Sequence, residues 1–371
     1  MQNLPAVSTS AWDAGSAPVP ASRHRTGRAL ITAATVGLVA IVTVQILHTV
    51  DVLGAGFANW RPILYAYVAW ALALCIGLVL SRGEHGRRAI FVLPAVLFTV
   101  SMVIFPTVFG IYIAFTDWNL SSRSGRHFSG LDNFRQMIHD SYYRNSLINM
   151  IYYVLSVFVQ YAIAFGLALL LNSDVRGRKF FRVTFLLPFM LSPVAVSWMV
   201  GKSMMDLRFG PVSDVARRLG WDTPAFFGSA WPARLSIMGM DAWVSIPFMM
   251  VLLLAGLQAL PGEVLESAKV DGATGWKSFW QMTFPLLLPV SVTAVVLRII
   301  FELKLADIVI TMTGGGPGGA TDTVTSFIYR EYRDRSNVGY GTALAQVYLF
   351  LIIIFILTLL AVVTRWIRRF T

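Results

Sequence analysis

Long apolar runs, broken by short polar stretches, dominate this chain. Eight of them stand out, at roughly 29–49, 63–80, 89–113, 146–171, 184–206, 236–257, 286–305 and 341–364. About 20 apolar residues let one helix cross a hydrocarbon layer of roughly 30 Å. The runs are too long and too continuous for barrel strands, which need about 10 residues each. Lipid offers the backbone no hydrogen-bond partners, so each run must satisfy itself as a helix. The pattern predicts an all-α, polytopic membrane protein with about eight transmembrane helices. The fifth run carries Lys202 and Asp206 near its end, the sixth carries Asp241 near its start, and the seventh ends in Arg298, Glu302 and Lys304. The last, by contrast, is uncharged until a basic stop at Arg365, Arg368 and Arg369.

Composition supports the pattern, and charge adds an orientation. Of 371 residues, 56% are hydrophobic and 13% charged, against about 25% charged in a soluble domain. With the N-terminus in the cytoplasm, the inner segments gather tight basic groups: Arg23, Arg25 and Arg28; Arg82, Arg87 and Arg88; Arg176, Arg178, Lys179 and Arg182; Lys269 and Lys277; and the terminal arginines. Basic density near span ends is retained on the cytoplasmic side, so both termini are expected there. The net charge of +11 is then explained by topology and contact with anionic headgroups, with no need for a nucleic-acid surface. Residues 1–27, rich in Ala, Ser and Pro, are expected to form a flexible cytoplasmic tail. The tail's length, and the lack of a small-residue cleavage site after the first run, argue against a cleaved signal peptide. Cys75 is the single cysteine and lies within the second run, so no intrachain disulfide or cysteine metal cluster is available. Neither a metal nor a cofactor is expected.

The segment 260–285 interrupts the membrane pattern on the cytoplasmic side. Pro261 suits a helix start, and Val264, Leu265 and Ala268 recur at helical spacing. Glu263, Glu266 and Lys269 take the polar side, with Glu266 and Lys269 three apart. Gly272 permits a tight turn, Thr274 suits the cap of a second short helix, and Trp276, Phe279 and Trp280 share a face of it. Pro285 is expected to close the segment before the next span. By periodicity alone this helix–turn–helix is either a docking element or an interfacial pair that merely tidies a loop. Its three acids (Glu263, Glu266 and Asp271) against two lysines suit a protein partner better than anionic lipid.

Three motifs resemble those of one family. The stretch from Ala255 to Pro289 resembles the coupling segment of binding-protein-dependent ABC importer permeases. Glu266, Ala268, Asp271, Gly272, Ala273, Phe279 and Pro285 match, while Ser267 and Phe284 replace the usual Ala and Leu. The stretch from Ile310 to Tyr332 resembles the segment before the last helix in carbohydrate importer permeases of the maltose and glycerol-phosphate type, through Thr313 to Pro317 and Thr321 to Thr323. The residues from Gly339 to Gln346 fit the beginning of that helix. A third patch, TDWNL at 116–120 followed by GLDNF at 130–134, resembles the group's first external loop. The resemblance covers about 89–371, implying a six-helix, maltose-permease-like core with coupling segment 260–285. Residues 28–88 then hold two additional helices beyond the common six.

The resemblance implies a permease that forms a translocation pathway for a sugar, polyol or glycerol-phosphate-like solute delivered by an external binding protein. It further implies a homologous second permease and two copies of a cytoplasmic ABC ATPase. Glu266, Ala268, Asp271, Gly272, Ala273, Trp276, Phe279 and Pro285 would couple to that ATPase. Gly314, Gly315, Gly316, Pro317 and Thr321 would form an external loop. GGGPGG at 314–319 lacks the Lys-Ser or Lys-Thr of a phosphate-binding loop, so the chain itself is not expected to hydrolyse ATP. Gln160, Trp198, Arg298, Glu302 and Gln346 are pathway candidates, with Asn149 as a further polar group and Tyr153 or Tyr348 as further aromatic ones. Intramembrane charges face protein or water, but Arg298 and Glu302 are also four apart, the spacing of a locked intrahelical pair. Two other classes compete: an ion-coupled secondary transporter, in which paired inverted repeats are expected but none is clear, and a non-conducting scaffold, which leaves the motifs unexplained.

Overall fold

A computed structural model describes residues 20–49, 52–123, 125–174, 176–273 and 275–367. They fall into two compact units divided between Phe109 and Gly110. Among the described residues, seven helices are long and apolar enough to cross a membrane, or eight with one bent pair.

The first unit contains α1 (Ala21–Thr49), α2 (Arg61–Arg82) and most of α3 (Glu84–Ala114). Helix α1 begins inside the segment expected as tail, so Arg23, Arg25 and Arg28 lie on its first turns; residues 1–19 of that tail lie outside the described residues. Helices α1 and α2 run antiparallel and nearly touch. A Cβ on Gly27 would fall 2.6 Å from the Gly77 carbonyl oxygen, a small-residue contact of the kind that lets membrane helices approach closely. Farther along, Trp70 Nε1 donates to Thr35 Oγ1 at 3.0 Å. Gln45 clasps the backbone of Phe57 through both amide atoms, at 3.1 and 2.9 Å. Tyr67 donates to the Leu97 carbonyl at 2.7 Å and ties α2 to α3.

The second unit is built around α5 (Ser141–Asn172) and α9 (Ala230–Gln258). Short α4 (Asp132–His139) precedes α5, and Asp140 caps α5 by accepting from the Tyr142 backbone N–H at 2.8 Å. Between α5 and α9 lie α6 (Arg178–Met190), α7 (Pro193–Ser203) and α8 (Pro211–Arg218). After α9 come α10 (Gly262–Val270), α11 (Gly275–Glu302), α12 (Asp307–Met312), α13 (Val324–Arg333) and α14 (Val338–Ile367). Among the described residues, three buried clusters form the core of this unit. One joins Met150, Leu303, Phe327 and Tyr348; a second joins Ala168, Leu253, Met249 and Leu287; a third joins Tyr153, Ile237 and Met312.

Two expectations change here. The fifth span is broken: α6 and α7 meet at 95°. Pro193 disfavours a helical residue before it, and Leu191 and Ser192 are both extended. Pro285, expected to close the cytoplasmic segment, interrupts nothing. Helix α11 runs from Gly275 to Glu302 through a π-helical turn at Phe279–Thr283. Proline lacks an N–H and clashes with the preceding turn of an α-helix; the wider turn immediately before Pro285 lets the helix continue.

Candidate translocation and coupling sites

Three of the charged residues that marred the apolar runs, Asp241, Arg298 and Glu302, meet in the core. Gln160 on α5, Asp241 on α9, and Arg298 and Glu302 on α11 are each no more than 3% exposed. Gln160 Nε2 donates to Asp241 Oδ2 at 2.8 Å, and Arg298 Nε donates to Gln160 Oε1 at 3.0 Å. Arg298 Nη2 is ion-paired with both Asp241 and Glu302. Ser156 and Ser245 sit at the periphery, bonding Gln160 and Asp241. One guanidinium thus fastens three helices. The i,i+4 pair expected from sequence is present, but it is half of a larger node. Desolvated charges are tolerated only when paired, which is why each carboxylate lies against Arg298. Sequence reasoning noted Asp241 without assigning it a role. Its signal was there: an acid in an apolar run calls for a cation in another.

The other pathway candidates do not join this node. Trp198 on α7 is exposed, with Lys202 Nζ 5.9 Å from its ring centre. Gln346 on α14 lies against Gly110. Tyr153 and Tyr348 are buried and spend their hydroxyls on the carbonyls of Thr321 and Leu303, both within 3.0 Å. Lys304 is exposed beyond the node, and Asp307 opens α12.

Asn149 belongs instead to the glycine loop between α12 and α13. Gly314, Gly315, Gly318 and Gly319 all have positive φ, and the Gly316–Pro317 peptide is cis. The loop's carbonyls are held by side chains of the bundle. Asn145 donates to Gly319 O at 2.6 Å, Arg234 Nε to Ala320 O at 2.8 Å, Tyr153 to Thr321 O at 3.0 Å, and Asn149 to Asp322 O at 2.9 Å. Thr321 Oγ1 closes the turn on Gly316 O at 2.8 Å. Asp322, buried beneath Gly315, accepts from Ser326 Oγ at 3.0 Å and is ion-paired with Arg330. Burial pushes its carboxyl up to about 6, against the opposing pull of Arg330. Burial likewise raises Glu331, with Arg335 opposing. Arg234 and Asp322 were not anticipated: Arg234 meets Asn149 and Ala320 from 85 and 86 positions away, and the Ser326 and Arg330 partners of Asp322 follow no motif.

At the opposite ends of these helices the segment after α9 forms a hairpin. Helix α10 ends at Val270, and the turn that follows holds Gly272, with φ +76° and open space where a Cβ would stand. The Ala273 N–H bonds back to Ala268 O at 2.9 Å, closing the turn. Ala268 is buried, whereas Glu266 and Asp271 are exposed. Thr274 and the Lys269 side chain lie outside the described residues, and with them the expected cap and the Glu266–Lys269 pair. Trp276 is 74% exposed and stacks on Phe279 at 5.9 Å. Phe279 in turn meets Phe165 of α5 edge-on at 5.6 Å. A cleft of about 350 Å³ lies beside the turn, between Leu169, Leu257, Ala273 and Phe279. The hairpin thus presents a small, open turn and two exposed indoles, Trp276 and Trp280, while anchored by an aromatic cluster.

Comparison with known proteins agrees with this geometry. Residues 73–370 match the family model described as binding-protein-dependent transport system inner membrane component. The chain is 32% identical over 274 residues to the sn-glycerol-3-phosphate transport system permease protein of Agrobacterium fabrum, covering 72% of this chain and 91% of that one. It is 29% identical to a trehalose/maltose transport system permease protein of Thermococcus litoralis, covering 74% of this chain and 92% of that one. In fold it resembles a bacterial ABC transporter involved in the import of the acidic polysaccharide alginate, with TM-score 0.65, 20% identity, and coverage of 82% and 98% of the two chains. With a buried polar node, an exposed hairpin and a family match over most of its length, this chain belongs to the inner membrane components of binding-protein-dependent transport systems, the multi-pass permease subunits of ABC importers.

Proposed function

We propose that this permease carries a sugar or a sugar-like solute, in the range spanned by oligosaccharide, polyol and glycerol phosphate. An external binding protein delivers the solute, and a homologous second permease and two copies of a cytoplasmic ATPase complete the complex. Residues 89–371 form its six-span core, and both termini face the cytoplasm. The observation that supports this most strongly is the continuity of α11. It begins at the hairpin turn and ends at the polar node. At 1.5 Å per residue, Gly275 to Arg298 spans roughly 35 Å of unbroken helix.

That helix offers a mechanism. The ATPase grips the α10–α11 hairpin around Gly272, with Glu266, Asp271, Ala273 and Trp276 at the contact and Ala268, Phe279 and Pro285 as its support. ATP-driven closure displaces the hairpin, and α11 transmits the displacement to Arg298 and Glu302. Because Arg298 also holds Asp241 and Gln160, α5 and α9 must follow or exchange partners. Coupling of this kind requires two global states in which the ends of the helix make different contacts. In the present state the node is closed to solute. Gln160, Arg298 and Glu302 would meet sugar hydroxyls when it opens, with Trp198 and Gln346 lining the route outside it. Gly314 to Pro317 and Thr321 cap the outer end and face the binding protein. The test is uptake of labelled sugars by vesicles carrying the whole assembly, with ATP supplied or withheld inside. ATP-dependent accumulation is expected, and uptake driven by an ion gradient alone would refute the proposal.

A further inference from the structure

Beside the glycine loop, one arginine is fixed but not neutralised. Arg234 lies one turn along α9 from Trp231, and its guanidinium carbon is 5.2 Å from the ring centres of both Trp231 and Tyr152. The two rings are themselves 5.3 Å apart at 58°. Nε donates to Ala320 O at 2.8 Å and to Asn149 Oδ1 at 3.1 Å. Asn149 is fully buried and committed to Gly319 and Asp322. Structural anchoring is therefore done by Nε alone. Among the described residues, Nη1 and Nη2 have no hydrogen-bond acceptor, are not sealed from the surface, and face no carboxylate partner. The contrast with Arg298, paired twice, and Arg330, paired with Asp322, is sharp. Trp231 is 54% exposed, so about half of the indole stays uncovered next to a rigid, unsatisfied cation.

We infer that Trp231, Tyr152 and Arg234 form an outer docking subsite for an anionic sugar unit. The C–H face of a pyranose ring packs on the Trp231 indole, and a carboxylate, phosphate or sulfonate on that ring takes the free Nη groups. A guanidinium fork matches such oxyanions in two-point geometry, and charge-assisted bonds are roughly twice as strong as neutral ones. Stacking on aromatic rings orients the fork without consuming its terminal donors. A neutral sugar would keep the stacking and forgo the ion pair, so the subsite selects for charge. The inference rests on the importer reading above and narrows its substrate class. A phospholipid headgroup shares the oxyanion but lacks the stacking ring.

The test uses the assembled importer in phosphatidylcholine nanodiscs. Tryptophan fluorescence of the wild type, less that of Trp231→Phe, isolates the Trp231 signal. Glucuronate and glucose 6-phosphate should change it saturably, with glucose weaker by about tenfold or more, the worth of one charge-assisted bond. Arg234→Gln should bring glucuronate down to the level of glucose. Should that variant fail to assemble, Trp231→Ala, at an exposed position, should weaken competition by glucuronate for uptake while leaving assembly intact. Equal responses to glucose and glucuronate would overturn the inference. So would no response to any sugar, or a signal that arises only when phosphatidylglycerol is added, which would mark a lipid headgroup site. ATP-driven uptake measured in parallel separates the two levels. If uptake persists while Trp231 stays silent, the subsite falls and the importer stands; if no sugar is taken up with ATP, the importer reading falls.

Discussion

Two glycines that look alike in the sequence carry different demands in the structure. Gly315 has φ +87°, and its missing Cβ is replaced by the Asp322 carboxylate. Gly316 has no such backbone, and its nearest neighbour to a built Cβ is Thr313 O at 3.3 Å. The sequence suggested that both lose freedom on substitution; the structure assigns the larger penalty to Gly315. Gly315→Val should therefore abolish most ATP-dependent uptake and Gly316→Val should reduce it less, with ATPase co-purification retained by both. Normal uptake by Gly315→Val would make the loop a passive connection. Gly272 lies in open space, so an indole there meets no packed neighbour, and the strain its φ of +76° imposes on a side chain stays local to the exposed turn. Gly272→Trp should insert normally yet lose the ATPase on purification and, with it, uptake; Val270→Ile should do little. Retention of both ATPase and transport by Gly272→Trp would remove the hairpin from the coupling role. Asp322 adds a pH dependence. Its carboxyl is raised to about 6 from an ordinary 3.8, so the folded state binds the proton more tightly than the unfolded chain does. The stability it contributes is complete below pH 4 and is lost as pH rises through 6, on the order of 3 kcal/mol at 1.36 kcal/mol per pKa unit. Melting curves from pH 4 to pH 7 should show this decline in the wild type and not in Asp322→Asn.

At the level of elements, the polar node fastens α5, α9 and α11 to one another. Removing one member of a buried ion pair strands the others, typically at a cost of about 3–5 kcal/mol. Arg298→Met should accordingly lower the melting temperature of the purified chain, since it leaves Asp241 and Glu302 buried together without their cation. Replacing all three by apolar residues of similar size should restore much of that stability, because no charge then remains to be compensated. Transport should not return with it if the node is an exchangeable contact. A triple variant that transports normally would reduce the node to a rivet. The continuity of α11 belongs to the same scale. The proline that the sequence offered as a stop is absorbed by a wider turn, and the hairpin thereby gains a continuous helical link to the core.

For the whole molecule, the two additional helices α1 and α2 are the open question. They pair with each other through Gly27 and Gly77, and neither carries charge within its apolar stretch. We expect peripheral bracing from them. Deleting residues 1–83 should leave ATPase association and sugar uptake intact, as judged by co-purification and vesicle transport. An altered preference among sugars after the deletion would instead place these helices near the pathway.

The sequence by itself determined the spans, since hydrophobic length is a property of each segment alone and insertion responds to it. It also marked the hairpin turn at Gly272 and the glycine loop at 314–319, because a positive-φ turn and a close backbone approach restrict which residues fit. Tertiary structure alone decided the partners. Gln160, Asp241 and Arg298 lie 57 to 138 positions apart, and nothing local sets which of their helices face one another. It also decided that Arg298 is paired twice while Arg234 keeps its terminal donors free. The charge of an arginine is written in the chain, but its neutralisation depends on which carboxylates packing brings within reach.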